Sequence, residues 1–156
     1  MIPTQELKYV SVIRPAAIVD NDTFASNVID TKGFDYLTIL VDLGATDIAL
    51  SVLKVQEAEA ASDATTLTSG ADVTGTVFGT ATNSAGATST LPGATDDNKL
   101  YAIHIDLRAR KRYQKLIATI GDGTVGGFVS SLGLLSRGNV VPSTAILRGL
   151  AQELIV

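Results

Sequence analysis

The chain has 156 residues, no cysteine, one histidine and a formal net charge of −4. That length suits one domain, 1–156, with a real core, and the missing cysteine excludes disulfides, thiolate metal sites and cysteine nucleophiles. The acidic balance argues against global attraction to nucleic acid, no apolar run of about 18 residues predicts a membrane helix, and the opening MIPTQE lacks the basic-then-apolar pattern of a secretory leader.

Weak strand signals, rich in β-branched residues, cover 6–13 and 24–30. Between them, 20-DNDTF-24 sets Asp20 and Asp22 at a spacing that opens calcium loops. Phe24 and Ala25 stand where an EF-hand needs an oxygen ligand and a glycine, so an Asx turn is the expectation and calcium a minor alternative. Thr31-Lys32-Gly33 predicts a turn. In 36-YLTILVDL-43, Leu37, Ile39, Val41 and Leu43 alternate with Tyr36, Thr38, Leu40 and Asp42, the period of a half-buried strand. Gly44-Ala45-Thr46 predicts the next turn, and 47–57 another strand.

Glu57, Glu59 and Asp63 could be imagined as an acid/base group, but their spacing favours a solvated strand end over a catalytic carboxylate pair. The segment 58–98 is built mainly of Ala, Thr, Ser and Gly, with no basic residue before Lys99. It reads as an extended excursion anchored by Val73, Val77, Phe78 and Leu91, with a strand near 72–78. Loops of this length usually carry partner contacts.

After a turn at Asp96-Asp97-Asn98, 100-LYAIHIDL-107 alternates again, with Tyr101, Ile103, Ile105 and Leu107 on one face and Leu100, Ala102, His104 and Asp106 on the other. His104 shares its face with Asp106, but no Gly-x-Ser-x-Gly elbow accompanies it. An interstrand hydrogen-bonding histidine is the expectation. In 106-DLRARKRYQKL-116, Arg108, Arg110, Lys111, Arg112 and Lys115 place five of the chain's twelve basic residues in eight positions. A helix there has no strong apolar stripe, whereas strand-turn-strand, with 113–120 returning, fits. Interleaved stacking aromatics are missing, so single-stranded nucleic acid is weakly supported. The run 121-GDGTVG-126 matches Gly-x-Gly-x-x-Gly, but 128-FVSSLGLL-135 predicts a strand where a dinucleotide site needs a helix, and Asp122 would oppose a phosphate. A hairpin turn is expected. The end of the chain, 142-PSTAILRGLAQELIV-156, admits a short helix over 145–153 capped by Ser143 or an extended arm lying along a neighbouring subunit. Its apolar end, Leu154, Ile155 and Val156, suits burial against a partner.

Short strands separated by turn chemistry predict an all-β fold, a β-sandwich of jelly-roll type, with a closed barrel as the other solution. Four phrases, 13-IRPAAIVDNDTF-24, 29-IDTKGFDYLTILVDLGATDIALSVLKVQE-57, 95-TDDNKLYAIHIDLRARKRYQKLIATIGDGT-124 and 132-LGLLSRG-138, resemble small proteins encoded in the head-assembly region of tailed bacteriophages. Several of those are capsid decoration, or cement, proteins with jelly-roll-like folds.

The resemblance covers most of the chain outside 58–94. It implies a virion structural protein without cofactor or catalytic residues, assembled in the host cytoplasm and carried on the capsid exterior. Its partners would be the major capsid protein and copies of itself, as homodimer or homotrimer, with no nucleic acid and no membrane. Candidate contact residues are Arg108, Arg110, Lys111, Arg112 and Lys115 in the basic turn and Leu154, Ile155 and Val156 in the tail. The alternative is a glycan-binding jelly-roll module of a head fibre or tail, against which the chain offers no tryptophan platform. An enzyme is the least expected class.

Overall fold

The computed structural model describes residues 3–154. They form ten strands: β1 (Lys8–Ile13), β2 (Val28–Asp30), β3 (Phe34–Thr46), β4 (Leu50–Ala58), β5 (Ala60–Ala61), β6 (Leu67–Thr68), β7 (Ala71–Asp72), β8 (Leu100–Asp106), β9 (Tyr113–Ile120) and β10 (Gly127–Gly138). Two short 3-10 turns, Pro3–Glu6 and Leu107–Ala109, are the only helical segments among the described residues.

Two four-stranded sheets pack face to face, in the orders β1-β10-β3-β8 and β2-β9-β4-β7, with every pairing antiparallel. Setting aside the small β5-β6 hairpin and counting the other eight strands in chain order, the sheets read 1-8-3-6 and 2-7-4-5. That is the doubled Greek key of a jelly roll. It decides between sandwich and barrel, and fold and topology both agree with the sequence reading.

The alternation in β3 and β8 explains the core. Leu37, Ile39, Val41 and Leu43 are at most 1 % exposed. Register places Leu37 opposite Ile105 and Ile39 opposite Ile103. From the other sheet, Ile29, Leu53, Val55, Leu116, Ala118 and Ile120 close the same cluster. Each fully buried Leu or Ile contributes roughly 1.5–3 kcal/mol through area removed from water.

Several local expectations need correction. Gly44 to Thr46 does not turn; it ends β3. A Cβ at Gly44 would stand 3.0 Å from the Phe128 Cβ, so the glycine is there for close approach to β10. The strand near 72–78 is only Ala71–Asp72. Beyond it Gly75 takes φ +85° and the Thr76 hydroxyl donates to the Val73 carbonyl at 2.9 Å, which turns the chain. The helix over 145–153 is absent: Arg148 N–H donates to the Thr144 carbonyl at 3.0 Å for a single turn, and Gly149, at φ +81°, ends it. The run 121–126 is not a hairpin. It joins β9 to β10, which lie in different sheets, as 107–112 joins β8 to β9.

Candidate functional site

The basic turn crosses the rim of the sandwich, and most of its charge is engaged within the chain. Asp106 caps the 3-10 turn through the Arg108 N–H (3.1 Å) and receives the Arg108 guanidinium, Nε to Oδ1 at 2.9 Å and Nη2 to Oδ2 at 2.5 Å. That hydrogen bonding brings the Asp106 carboxyl down to about 2. Arg112 grips Asp30 with Nε to Oδ1 at 2.8 Å and Nη2 to Oδ2 at 2.7 Å. Arg110 lies 3.7 Å from Glu57. The Lys115 ammonium donates to the Thr65 carbonyl. Among the described residues only the Lys111 ammonium, of these five cations, has no partner, although its backbone N–H donates to Glu57 Oε2 at 3.1 Å.

Glu57 is therefore more than a solvated strand end. It is the acceptor on which the turn closes, and Gln114 Nε2 donates to the same oxygen at 3.3 Å and to the Lys111 carbonyl at 2.9 Å. Glu59 is exposed, and Asp63 folds its own turn by accepting from Thr65 N–H (2.7 Å) and Thr66 N–H (2.8 Å). These three carboxylates do not form a cluster. Beside the turn, the guanidiniums of Arg108 and Arg137 lie 5.5 and 5.6 Å from the centroid of the Tyr36 ring, within cation–π range.

The glycine run does cradle an anion, and the anion is the protein's own. Asp47 Oδ2 accepts from Thr124 and Val125 N–H and its Oδ1 from Gly126 N–H, each at 2.8 Å. Burial works against the charge, but these N–H groups hold the carboxyl below the usual carboxylate range. Asp20 Oδ1 takes the Gly123 N–H at 2.8 Å, and Asp22 Oδ1 the Thr23 N–H at 2.7 Å. Asp20 and Asp22 thus bond to backbone, and no cluster of three potential metal ligands occurs among the described residues. His104 Nδ1 bonds the Thr38 hydroxyl across the strands at 3.0 Å, the interstrand role expected of it.

The tail folds onto its own chain. The Arg148 carbonyl accepts the Tyr9 N–H at 2.7 Å, which covers part of the outer edge of β1. Arg148 is 5 % exposed, and its side chain pairs with Glu153 and donates to the Pro142 carbonyl at 2.6 Å. Leu154 is 90 % exposed, whereas Ile155 and Val156 lie outside the described residues. Nothing in the sequence reading singled out Arg148; the signal was a lone cation five residues before the lone carboxylate of a largely apolar stretch.

The two sheets present different outer faces. On β1-β10-β3-β8, register aligns Ser11, Leu132, Leu40 and Ala102 in one cross-strand row, and Tyr9, Leu134, Thr38 and His104 in the next. Leu132, Phe128 and Leu100 are 38, 43 and 64 % exposed, and Asp42 stands opposite Leu100. On β2-β9-β4-β7 the outward positions include Lys54, bonded to Asp72 at 3.0 Å, and Lys115, over which the 60–68 hairpin folds. The alternation in β3 and β8 foretold a second face but not that the two sheets would differ in this way. Among family models, curated proteins and solved structures, none matches the chain.

Proposed function

We propose that the protein is a virion structural protein, a homo-oligomeric decoration protein that binds and stabilises a tailed-phage capsid through contacts with the major capsid protein. The observation that carries this reading is the outer face of β1-β10-β3-β8, sparse in charge and with exposed Leu100, Phe128 and Leu132, set opposite a charged and partly covered face. A cement protein works by surface complementarity from a rigid scaffold. The jelly roll supplies the scaffold, and the resemblance of four long phrases to head-region proteins supplies the partner. The face spans about four strands by seven residues, roughly 450 Å². A stable interface takes about 800 Å² from each partner, so neighbouring elements must join it. The exposed Ile146, Leu147 and Leu154 of the tail and Lys111 of the basic turn are the additional contacts in this reading. Arg108 and Arg112, already engaged with Asp106 and Asp30, serve chiefly to shape the turn.

The test is co-sedimentation with expanded empty heads of the phage whose genome carries this sequence. The wild-type chain should bind at saturable sites. Leu132→Lys, which places a charge at the centre of the apolar face without touching the core, should weaken binding at least tenfold. Replacing Arg108, Arg110 and Arg112 by alanine should weaken it less. Absence of wild-type binding overturns the capsid reading; unchanged binding of Leu132→Lys overturns the choice of face.

A further inference from the structure

β8 ends its sheet, and one side of it is an open ladder of backbone groups. Leu43 N–H donates to the Lys99 carbonyl at 3.0 Å. Antiparallel pairing alternates, so Tyr101, Ile103 and Ile105 bond to β3 while Leu100, Ala102 and His104 turn N–H and C=O away from it. Among the described residues no hydrogen bond reaches those outward groups.

The chain does not cover this edge, yet it builds a wall beside it. Residues 75–84, from the small-residue excursion, stand across a groove of about 530 Å³ from Leu100–His104. Thr76, Phe78, Ala81 and Ser84 line the far side, with Phe78 fixed edge-on to Tyr101 at 6.1 Å. A groove of that size excludes a second sandwich but admits one extended strand. Leu100 to His104 runs about 13 Å at the rise of a strand, which is four or five residues of ligand. Apart from Phe78, the side chains on the far wall are small and leave room for a backbone to come within hydrogen-bond distance of the edge.

Charge narrows the ligand. The loops at the end of the sandwich where β8 begins (14–27, 47–49, 73–99 and 121–126) hold six aspartates against Arg14 and Lys99. They therefore carry a net −4, equal to the net charge of the whole chain. An acidic segment would be repelled there.

We infer that the free edge of β8, walled by residues 75–84, is an acceptor for an extended segment of a partner protein. That segment is small or apolar at alternate positions and free of acidic side chains. It completes the sheet by backbone hydrogen bonds to Ala102 and His104, the strand-addition mode of peptide recognition. The inference goes beyond the capsid reading and does not depend on it, because it concerns the chemistry of the edge and not the identity of the partner.

Amide exchange and NMR titration of the full chain test it. Without ligand, the Ala102 and His104 amides should exchange fast while those of Ile103 and Ile105 are protected. A capped heptapeptide of alternating threonine and valine should shift the Ala102 and His104 resonances and slow their exchange at least tenfold. The same peptide methylated on alternate backbone nitrogens should not bind, nor should one with glutamate replacing threonine. Ser84→Trp, which fills the groove from an exposed loop position, should raise the dissociation constant at least tenfold. Protection of Ala102 and His104 before any peptide is added would overturn the inference. So would absence of binding at millimolar peptide, equal binding of the methylated peptide, or unchanged affinity in Ser84→Trp.

Discussion

Arg112 holds Asp30 with two parallel hydrogen bonds, at 2.8 and 2.7 Å, and so ties the end of β2 to the start of β9. The pair is about half exposed, so its energetic weight is small in spite of the geometry, and its pH dependence is the clearer readout. The Arg112 hydrogen bond holds the Asp30 carboxyl below its ordinary 3.8, against a smaller opposing effect of burial. A carboxyl lowered on folding contributes stability above its unfolded value and loses it as pH falls through the folded one. Arg112→Ala should therefore have a lower urea midpoint than wild type at pH 6. The difference should shrink as pH falls below the ordinary aspartate value of about 3.9 and be lost as it falls through the folded one. A difference independent of pH would show that packing, not the ion pair, is what Arg112 supplies.

Gln114 is fully buried, and its Nε2 is committed to Glu57 and to the Lys111 carbonyl, while its Oε1 has no partner among the described residues. Gln114→Glu would set a second carboxylate beside Glu57 and delete both donated bonds. An uncompensated buried charge costs about 3–5 kcal/mol. The loss should be smallest at pH 3, where the introduced carboxyl can be protonated, and grow as pH rises through the unfolded glutamate value of about 4.3. Chemical denaturation at pH 3, 5 and 7 measures it. Gln114→Met, similar in volume but without a charge, should cost less and show no such slope.

The parts of the fold that were legible in the sequence are those fixed by one-sided burial. β3 and β8 announce themselves because Leu37 to Leu43 and Ile103 to Leu107 each place alternate residues in the core. Turn chemistry was less informative, because it fixes where the chain bends and not which sheet it enters next. Hence 107–112 and 121–126 read as local turns, although both cross between sheets. Gly44 looked like a turn residue because its true constraint, the Phe128 side chain, lies in a distant strand. The clamp on the glycine loop was hidden for the same reason: Asp47 is separated from Gly126 by 79 positions. The basic cluster was visible at once, but its partners Asp30 and Glu57 come from elsewhere in the sequence and only the fold brings them to it.

Asp47→Ala should loosen the loop 121–126 without unfolding the sandwich. Three backbone N–H groups lose their shared acceptor, and alanine offers none in return. Exchange of the Thr124, Val125 and Gly126 amides should accelerate at least tenfold, while that of Leu116 and Ala118 in β9 stays unchanged. The wild-type loop should itself loosen in acid. Its Asp47 carboxyl is lowered, so the clamp is complete above the ordinary aspartate value of 3.8 and is lost as pH falls through the folded one. Asp47→Asn, which keeps an acceptor oxygen, should fall between the two and show no acid transition.

Gly149 is the pivot on which the tail meets β1. It adopts φ +81°, and a Cβ there would lie 2.0 Å from the Tyr9 carbonyl oxygen. Alanine would thus meet both the left-handed backbone penalty, about 1 kcal/mol, and a collision that only displacement of the arm relieves. Gly149→Ala should release the arm from β1. The Tyr9 amide, which now donates to the Arg148 carbonyl, should lose protection at least tenfold, and Arg148 should become open to solvent. The core strands do not share this contact, so the melting temperature should fall by only a few degrees. An uncovered β1 edge is a template for pairing with another chain, so the variant should also form larger species than wild type at equal concentration, as read by light scattering. A Tyr9 amide as protected as in wild type would mean that the arm keeps its place on β1 without the left-handed turn and that the glycine is dispensable.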